Sequence, residues 1–481
     1  MAYDDLRSFL DDLEREGDLR RVKAEVDPHL EITEIVTRVV RAQGPALLFE
    51  NVQGSRMPLA MNVFGTERRM AKALGVDRLD DLGDRIGEML KPELPKGVGG
   101  FKDALMKVAQ LRNAPPKRVR SGSCQDVVLT GDEVDLGLLP ALHTWPDDGG
   151  RFLNLGLTHT RHPETGARNL GLYRLQQHDR RTVGMHWQIH KDSNAHHAVA
   201  ERRGERLPVA IAFGCPPAVS YAATAPLPAE IDEYLFAGFL QQGRVEMVDC
   251  LTVPLQVPAT AQVVLEGWLE PGHRRDEGPF GDHTGFYTPV EPFPALTIDT
   301  MTTQREPIFQ SIVVGKPPQE DGPLGKATER IFLPLIKLTN PEIVDMDLPE
   351  HGGFHNCAIV SIDKTFPKQA QKVMSALWGA GLMSLCKLII VVDADCDVHD
   401  HAEVAWRAFG NVDYAHDLLV TQGPVDHLDH SSYQQFWGGK AGVDATRKLP
   451  EEGYTRAWPP MIEQAPDVVA RVDARWSEYG L

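Results

Sequence analysis

Cysteine is scarce in this chain. Its 481 residues hold six (Cys124, Cys215, Cys250, Cys357, Cys386, Cys396), scattered and with no CxxC pair, which excludes a disulfide framework and the common zinc-ribbon spacing. Long apolar runs are also missing. The longest strongly apolar stretch, Leu388-Ile389-Ile390-Val391-Val392, falls far short of the ~20 residues that a membrane span needs. Met1–Arg7 is acidic and amphipathic, unlike a signal peptide, so a cytoplasmic protein without stable membrane insertion is expected. Positive charge is in deficit. Lys and Arg number 50 against 68 Asp and Glu, a net −18, which excludes nucleic acid as a partner of the surface as a whole. A local basic pocket for one small anion remains open. Prolines and glycines, by contrast, are plentiful at 35 and 42, and point to many turns and a substantial β component.

The chain is long enough for about three domains at roughly 150 residues each. The first ~115 residues read as α/β. Leu6, Phe9, Leu10 and Leu13 share one helical face over residues 4–16, and Leu30, Ile32, Ile35, Val36, Val39 and Val40 repeat that period. Pro45–Glu50 reads as a strand, and 67–91 carries further helical patterns. Pro115-Pro116 marks a boundary. From about 125 to 315, short apolar runs separated by turn residues (Val127–Leu129, Leu153–Thr158, Val209–Phe213, Val263–Trp268) have the texture of an antiparallel sheet or barrel. One helix is expected near 230–241, with Ile231, Leu235, Phe236 and Phe239 sharing a face. Residues 357–409 then alternate strand, helix, strand, helix, the pattern of a smaller α/β domain. A tail from about 441 ends in a helix near 466–478.

Four segments carry candidate chemistry. Glu277-Gly278-Pro279-Phe280-Gly281-Asp282 sets two acids five residues apart on a backbone too broken for a helix. Such a kinked loop can aim both acids into one cavity, where mutual repulsion would leave one protonated near neutrality. In Asn169-Leu170-Gly171-Leu172-Tyr173-Arg174, read as a strand, Arg174 shares a face with Leu170 and Leu172; if inward, it needs an anionic partner. Strand alternation over His186–His190 would put His186, Gln188 and His190 on one face, as a metal or phosphate site. Pro228–Tyr234 opens a helix, where acids suit the helix dipole. Glu233 with Asn169 and phosphate oxygens would suit Mg²⁺ or Mn²⁺. Three further clusters read more simply. Asp393–Asp400 is expected to cap the next helix, Asp426-His427-Leu428-Asp429-His430 to be structural, and Trp437–Gly442 is no Walker loop although its Lys440 could meet an anion.

Taken in order, Tyr3–Arg7, Val26–Ile32, Gly44–Asn51, Asn169–Arg174, Glu277–Asp282 and Gly442–Thr446 resemble the UbiD family of prenylated-FMN-dependent decarboxylases over nearly the whole chain. The resemblance implies an α+β architecture. An N-terminal α/β domain (1–115) precedes a central flavin-reductase-like split β-barrel that binds the flavin (116–318). A C-terminal α/β domain (319–440) and a tail with a helix (441–481) follow.

By position, the resemblance makes Arg174, Glu277 and Asp282 the catalytic arginine and two acids, with Asp282 the expected proton donor. It makes Asn169 and Glu233 the ligands of a Mn²⁺, with K⁺ as a companion ion, that holds the flavin phosphate. It aligns Leu172, Tyr173, Arg174, His186, Trp187, Gln188, Lys191 and Asp192 with cofactor-contacting stretches. His190 and Lys191 compete for one position beside the phosphate, and Lys440 is a further cofactor contact. The implied reaction is loss of CO₂ from a hydroxylated aromatic acid through a covalent prenylated-FMN adduct. The implied partners are a small aromatic acid, a flavin prenyltransferase as cofactor supplier, and further copies of the chain in a homodimer or homohexamer. Segments 171–181 and 184–192 look most like actinobacterial relatives of the quinone-biosynthesis branch. The expected substrate is therefore a 1,4-dihydroxy-6-naphthoate-type acid of menaquinone formation, with 4-hydroxy-3-polyprenylbenzoate of the ubiquinone route as runner-up. An FMN-dependent reductase or a non-catalytic flavin-binding protein would share the barrel but would not need Arg174 between two acids.

Overall fold

The computed structural model describes residues 3–90, 114–189, 191–227 and 231–480. Six strands form its centre: β1 (Arg151–Arg161), β2 (Arg168–Gln177), β3 (Thr182–Met185), β4 (Leu207–Phe213), β5 (Val263–Leu269) and β6 (Glu291–Thr303). They pair in the order β5-β4-β1-β2-β3-β6, and β6 pairs back onto β5, so an antiparallel barrel closes. Closure leaves these strands without a free edge among themselves. Side chains alternate across a strand, and the barrel obeys that rule. Leu153, Tyr173, Leu175, Val183, Met185, Val209, Ile211, Val263, Leu265, Leu296 and Ile298, drawn from all six strands, fill one core. The intervening Leu170, Ala210, Ala212 and Val264 pack into another, on the outer side, joined by Leu157 from beyond the bulge that breaks β1 between Leu153 and Gly156.

The N-terminal region packs against this barrel. Its first helix, Leu6–Arg15, starts where the Asp5 carboxylate accepts the Ser8 amide at 2.7 Å, and it buries Leu6, Phe9, Leu10 and Leu13 as their spacing predicts. Helix Glu31–Arg41 sends Ile32, Val36 and Val40 into the same core that fills the barrel. A four-stranded sheet orders Leu19–Val26, Ala46–Val52, Leu59–Met61 and Phe309–Gln310, so a strand from beyond the barrel closes it.

Two helices flank the barrel, α1 (Asp192–Arg203) and α2 (Glu233–Gln241), and a longer one, α3 (Asp321–Thr339), leads into the C-terminal part. There a five-stranded sheet orders Ile343–Asp347, Cys357–Ile362, Leu388–Asp393, Trp437–Asp444 and Leu418–Pro424, parallel at its centre and antiparallel at both edges. No described helix is long and apolar enough to cross a membrane, and all six cysteines are free.

Two local expectations fail. The buried residues of α2 are Tyr234, Ala237, Gly238, Leu240 and Gln241, while Ile231 and Leu235 are exposed. Gly238 sets that face: a Cβ there would lie 2.0 Å from the Ala114 carbonyl oxygen, so the backbone approaches at the glycine rather than at the large apolar residues. Strand β3 stops at Met185, so His186 and Gln188 do not alternate on a strand; His190 lies outside the described residues.

Candidate active site

Tyr173 and Leu175 point into the barrel core, so strand geometry sends Arg174 out through the opposite face of β2. There its guanidinium meets both predicted acids. Nε donates to Glu277 Oε1 at 2.8 Å, and Nη2 donates to Glu277 Oε2 at 3.1 Å. Nη1 donates to Asp282 Oδ2, and Nη2 also reaches Thr288 Oγ1 at 3.2 Å. The Phe280 ring lies under the guanidinium, 4.3 Å from its carbon. Arg174, Glu277 and Asp282 are all buried.

The kinked segment explains this convergence. Glu277 ends a short strand, Arg274–Glu277, that pairs with the start of β6. Gly278 then takes φ +99°, a conformation that favours glycine, and its amide is held by Gln176 Oε1 at 2.8 Å. Gln176 stands two residues beyond Arg174, on the same face of β2. The chain folds back through Thr288, whose amide donates to the Phe280 carbonyl at 2.9 Å. Asp148 pins the turn by accepting the Gly281 amide at 2.8 Å and the Trp145 amide at 2.8 Å. A side chain at Gly281 would meet the Trp145 ring at 2.1 Å, so that turn requires glycine.

Each acid has its own histidine. His186 Nδ1 donates to Glu277 Oε2 at 3.1 Å, and its ring packs on Phe293 with centroids 4.4 Å apart. On Asp282 Oδ1 converge the His283 amide at 2.7 Å and His283 Nδ1 at 2.8 Å. Burial alone would raise both carboxyls. Arg174 and His186 outweigh it at Glu277 and bring it down to about 2. The His283 ring and Arg174 hold Asp282 well below the usual carboxylate range. The histidines diverge. Burial and the Arg174 charge push His186 down, whereas at His283 the Asp282 charge overcomes burial and lifts the ring to about 9. The expectation of one protonated acid is thereby corrected. Two carboxylates do not repel a proton onto one of them when a guanidinium stands between them.

A second cluster gathers where β2 begins, at the starts of α1 and α2. Asn169 Nδ2 donates to Ser193 Oγ at 2.8 Å, and Glu233 Oε2 accepts the Leu170 amide at 3.2 Å. Burial, with Asp232 and Asp192 close by, raises Glu233 to about 7. Tyr173 is linked to Ser193 in the same corner. Trp187, edge-on to Tyr173 with centroids 6.1 Å apart, keeps a buried Nε1 without a partner, as His186 keeps its Nε2. An amide oxygen and crowded carboxylates at two helix N-termini form a hard donor set that fits a divalent cation carrying phosphate oxygens. The orphaned ring nitrogens beside it, a donor at Trp187 and an acceptor at His186, fit a polar cofactor edge.

Other predicted residues scatter. Leu172 is partly buried and donates its amide to the Ala223 carbonyl at 3.0 Å. Gln188 is half-buried, and Lys191 is an exposed residue before α1 that acts electrostatically on His355. Lys440 is not brought to this site. It is buried in the C-terminal sheet, where Nζ donates to the carbonyls of Ser384 and Cys386.

Conversely, the Asp426–His430 cluster, expected to be structural, reaches the site. His427 Nε2 donates to Glu291 Oε2 at 2.9 Å, and its ring stands edge-on to His186 with centroids 6.2 Å apart. Sequence reasoning also passed over His283, Thr288 and Gln176. For His283 the signal was present, since it follows Asp282 directly.

Comparison with known proteins agrees with this arrangement. Family models of 3-octaprenyl-4-hydroxybenzoate carboxy-lyase match for the N-terminal domain (residues 10–86), the Rift-related domain (117–317) and the C-terminal domain (323–445). An uncharacterized protein of Aquifex aeolicus is 49% identical over 100% of this chain and 99% of its own. Vanillic acid decarboxylase of Sedimentibacter hydroxybenzoicus, in closed form, superposes with a TM-score of 0.86 at 28% identity, covering 100% of this chain and 99% of that one. The UbiD-class enzyme HmfF of Pelotomaculum thermopropionicum, solved in complex with FMN, gives 0.80 at 28% identity over 95% and 97%. An evolved dimeric form of HmfF, in complex with prenylated FMN, gives 0.79 at 26% identity over the same shares. Carboxy-lyase family models matched along most of the chain make it a carboxy-lyase; the chain belongs to the UbiD family of decarboxylases.

Proposed function

We propose that this enzyme removes CO₂ from a hydroxylated aromatic acid with prenylated FMN as cofactor. The observation that carries the reading is the Arg174 guanidinium bonded to Glu277 and Asp282 at once. When bound, prenylated FMN supplies an electrophilic carbon that takes up the electron pair released as CO₂ leaves. The chain's own residues do the rest. Arg174 orients the incoming carboxylate and balances the charge of both acids. Glu277, fixed by two bonds to Arg174 and one from His186, keeps that guanidinium in place. Asp282 delivers the proton to the carbon that lost CO₂. Asn169 and Glu233 would hold a Mn²⁺, with K⁺ as companion, that would bind the flavin phosphate, and Tyr173, His186, Trp187 and Asp192 would border the cofactor.

The substrate proposed is a 1,4-dihydroxy-6-naphthoate-type acid, on the strength of segments 171–181 and 184–192. A second reading, 4-hydroxy-3-polyprenylbenzoate, is favoured by the acid named in the family descriptions. We place domain boundaries near 115, 318 and 440, and expect a homo-oligomer supplied with cofactor by a flavin prenyltransferase.

The test is Asp282→Asn loaded with prenylated FMN. It should keep cofactor and substrate binding, lose about 10²–10⁴-fold in turnover, and slow exchange of the product C–H with solvent deuterium. Near wild-type turnover would assign the proton to Glu277 or a water. Assaying both acids side by side, with products identified by mass, decides the substrate.

A further inference from the structure

The resting site has a gap in its proton economy. Arg174 at Glu277, and His283 with Arg174 at Asp282, hold both acids ionised, so neither carries the proton that the product carbon must receive. The nearest group able to store one is His283. Two of its nitrogens, the amide and Nδ1, converge on the same Asp282 oxygen at 2.7 and 2.8 Å. The opposite Asp282 oxygen is taken by Arg174. The ring is held on its far side by the C-terminal part. Phe354 stacks against it at 6.0 Å between centroids, and His355 meets it edge-on at 5.6 Å. Gly353 leaves no space there, since a Cβ would lie 3.2 Å from the ring. Nε2 is buried and has no partner among the described residues.

We propose that His283 is a positioning residue that loads the Asp282 carboxylate with the proton it delivers. Resting on the decarboxylase reading above, the step balances. The Nδ1–H bond of His283 breaks as an O–H bond forms on Asp282. That O–H then breaks as the new C–H bond forms, and a water-borne proton returns to Nδ1, the nitrogen left without one, while Nε2 keeps its own. The groups facing the ring favour its charged form. Asp282 lies on one side with Arg174 behind it, Asp321 stands at the start of α3, and Asp426 in the C-terminal part; His355 opposes them. Their balance lifts the ring to about 9, so it is charged at neutral pH. His186 does not share this role, because burial and Arg174 keep it neutral beside Glu277.

The experiment uses holoenzyme. His283→Asn, which keeps a donor to Asp282 but has no proton to give, should retain flavin and KM. Its kcat at pH 7 should fall about 10²-fold, and the loss of activity expected of wild type as the pH rises through about 9 should be absent from the variant. Added imidazole should restore turnover to His283→Ala in proportion to its concentration, which a packing role would not allow. Histidine-¹⁵N NMR of wild type carries the test without any variant: the ring should keep both protons up to about pH 9. A neutral ring at pH 7 overturns the proposal. Asp282→Asn, run in parallel, separates two failures. If it turns over normally, the donor reading fails and this inference with it. If it is inactive while His283→Asn has wild-type kcat and an unchanged pH profile, only the role of His283 is overturned.

Discussion

Around Arg174, one guanidinium faces two carboxylates and two histidines. Around Lys326 and Arg330, on α3, the same residue types meet again. Lys326 Nζ donates to Glu329 at 3.0 Å, to Asp347, and to His399 Nδ1 at 3.2 Å. Arg330 bonds Glu329 at 2.8 Å and Asp345 at 2.8 Å, and His401 Nε2 bonds Asp347 at 2.8 Å. Ligand atoms of Glu329, Asp347 and His399 lie within 4.8 Å of one another, as a metal site would require. A lysine already stands among them, however, and no buried nitrogen or oxygen of this network lacks a partner. The Arg174 site, by contrast, leaves His186 Nε2 and His283 Nε2 unpaired. Residue types do not separate a working site from a structural one. The two networks differ instead in unused valence, and a buried polar atom left without a partner costs about 1–3 kcal/mol.

The largest effect should follow loss of the shared cation at the first network. Arg174→Ala leaves two buried carboxylates facing each other and nothing to orient the substrate. Turnover should fall by more than ~10⁴-fold, beyond the loss of a general acid alone. Urea unfolding should show about 3–5 kcal/mol of destabilisation, as when one partner of a buried ion pair is removed. Turnover within tenfold of wild type would place the chemistry elsewhere.

Lys326→Met probes the second network in the same way, with a different expected outcome. Glu329 and Asp347 lose their ammonium, so stability should again fall by about 3–5 kcal/mol. The folded fraction should keep wild-type kcat, because no atom of this network reaches Arg174, Glu277 or Asp282. A kcat defect at a temperature where the variant is fully folded would break the comparison.

The elements were legible where local rules act alone. Leu6, Phe9, Leu10 and Leu13 bury as their spacing requires, and Asp400 caps its helix by accepting the Ala402 and Glu403 amides. The two acids and Arg174 were legible because a motif with glycines and a proline has few ways to fold. The buried face of α2 was not, because the close approach at Gly238 depends on where Ala114 lies in space. His427 and Lys440 were misplaced for the same reason. Which side of the C-terminal sheet turns toward the barrel is a long-range fact, so a histidine read as structural reaches His186, while a lysine beside glycines stays inside its own sheet. The ionisation of both acids was misjudged because spacing along the chain showed the carboxylates' repulsion but not that one guanidinium bonds both.

A third buried acid sharpens the comparison with the smallest effect. Glu320 is fully buried and makes no ion pair among the described residues. One oxygen accepts the Phe64 amide at 2.8 Å, and the other has no partner. Burial raises it to about 7, against the pull of that amide, of the more distant Arg69 and of the Asn62 and Val63 amides. The sign follows from linkage. A folded-state pKa above the unfolded value of ~4.3 means that the folded chain holds this proton more tightly. Its contribution is present in full below about pH 4, declines as the pH rises, and is lost above about 7. The total is on the order of 3 kcal/mol for a shift of that size. Glu320→Gln cannot ionise, so its stability should lose this pH dependence. Relative to wild type it should gain about 2 kcal/mol between pH 5 and pH 8 in urea titrations, with turnover unchanged. If wild type and Glu320→Gln keep the same stability difference at both pH values, Glu320 is charged in the folded chain. Arg69 would then be its true counter-ion, making this a second satisfied network rather than an isolated buried acid.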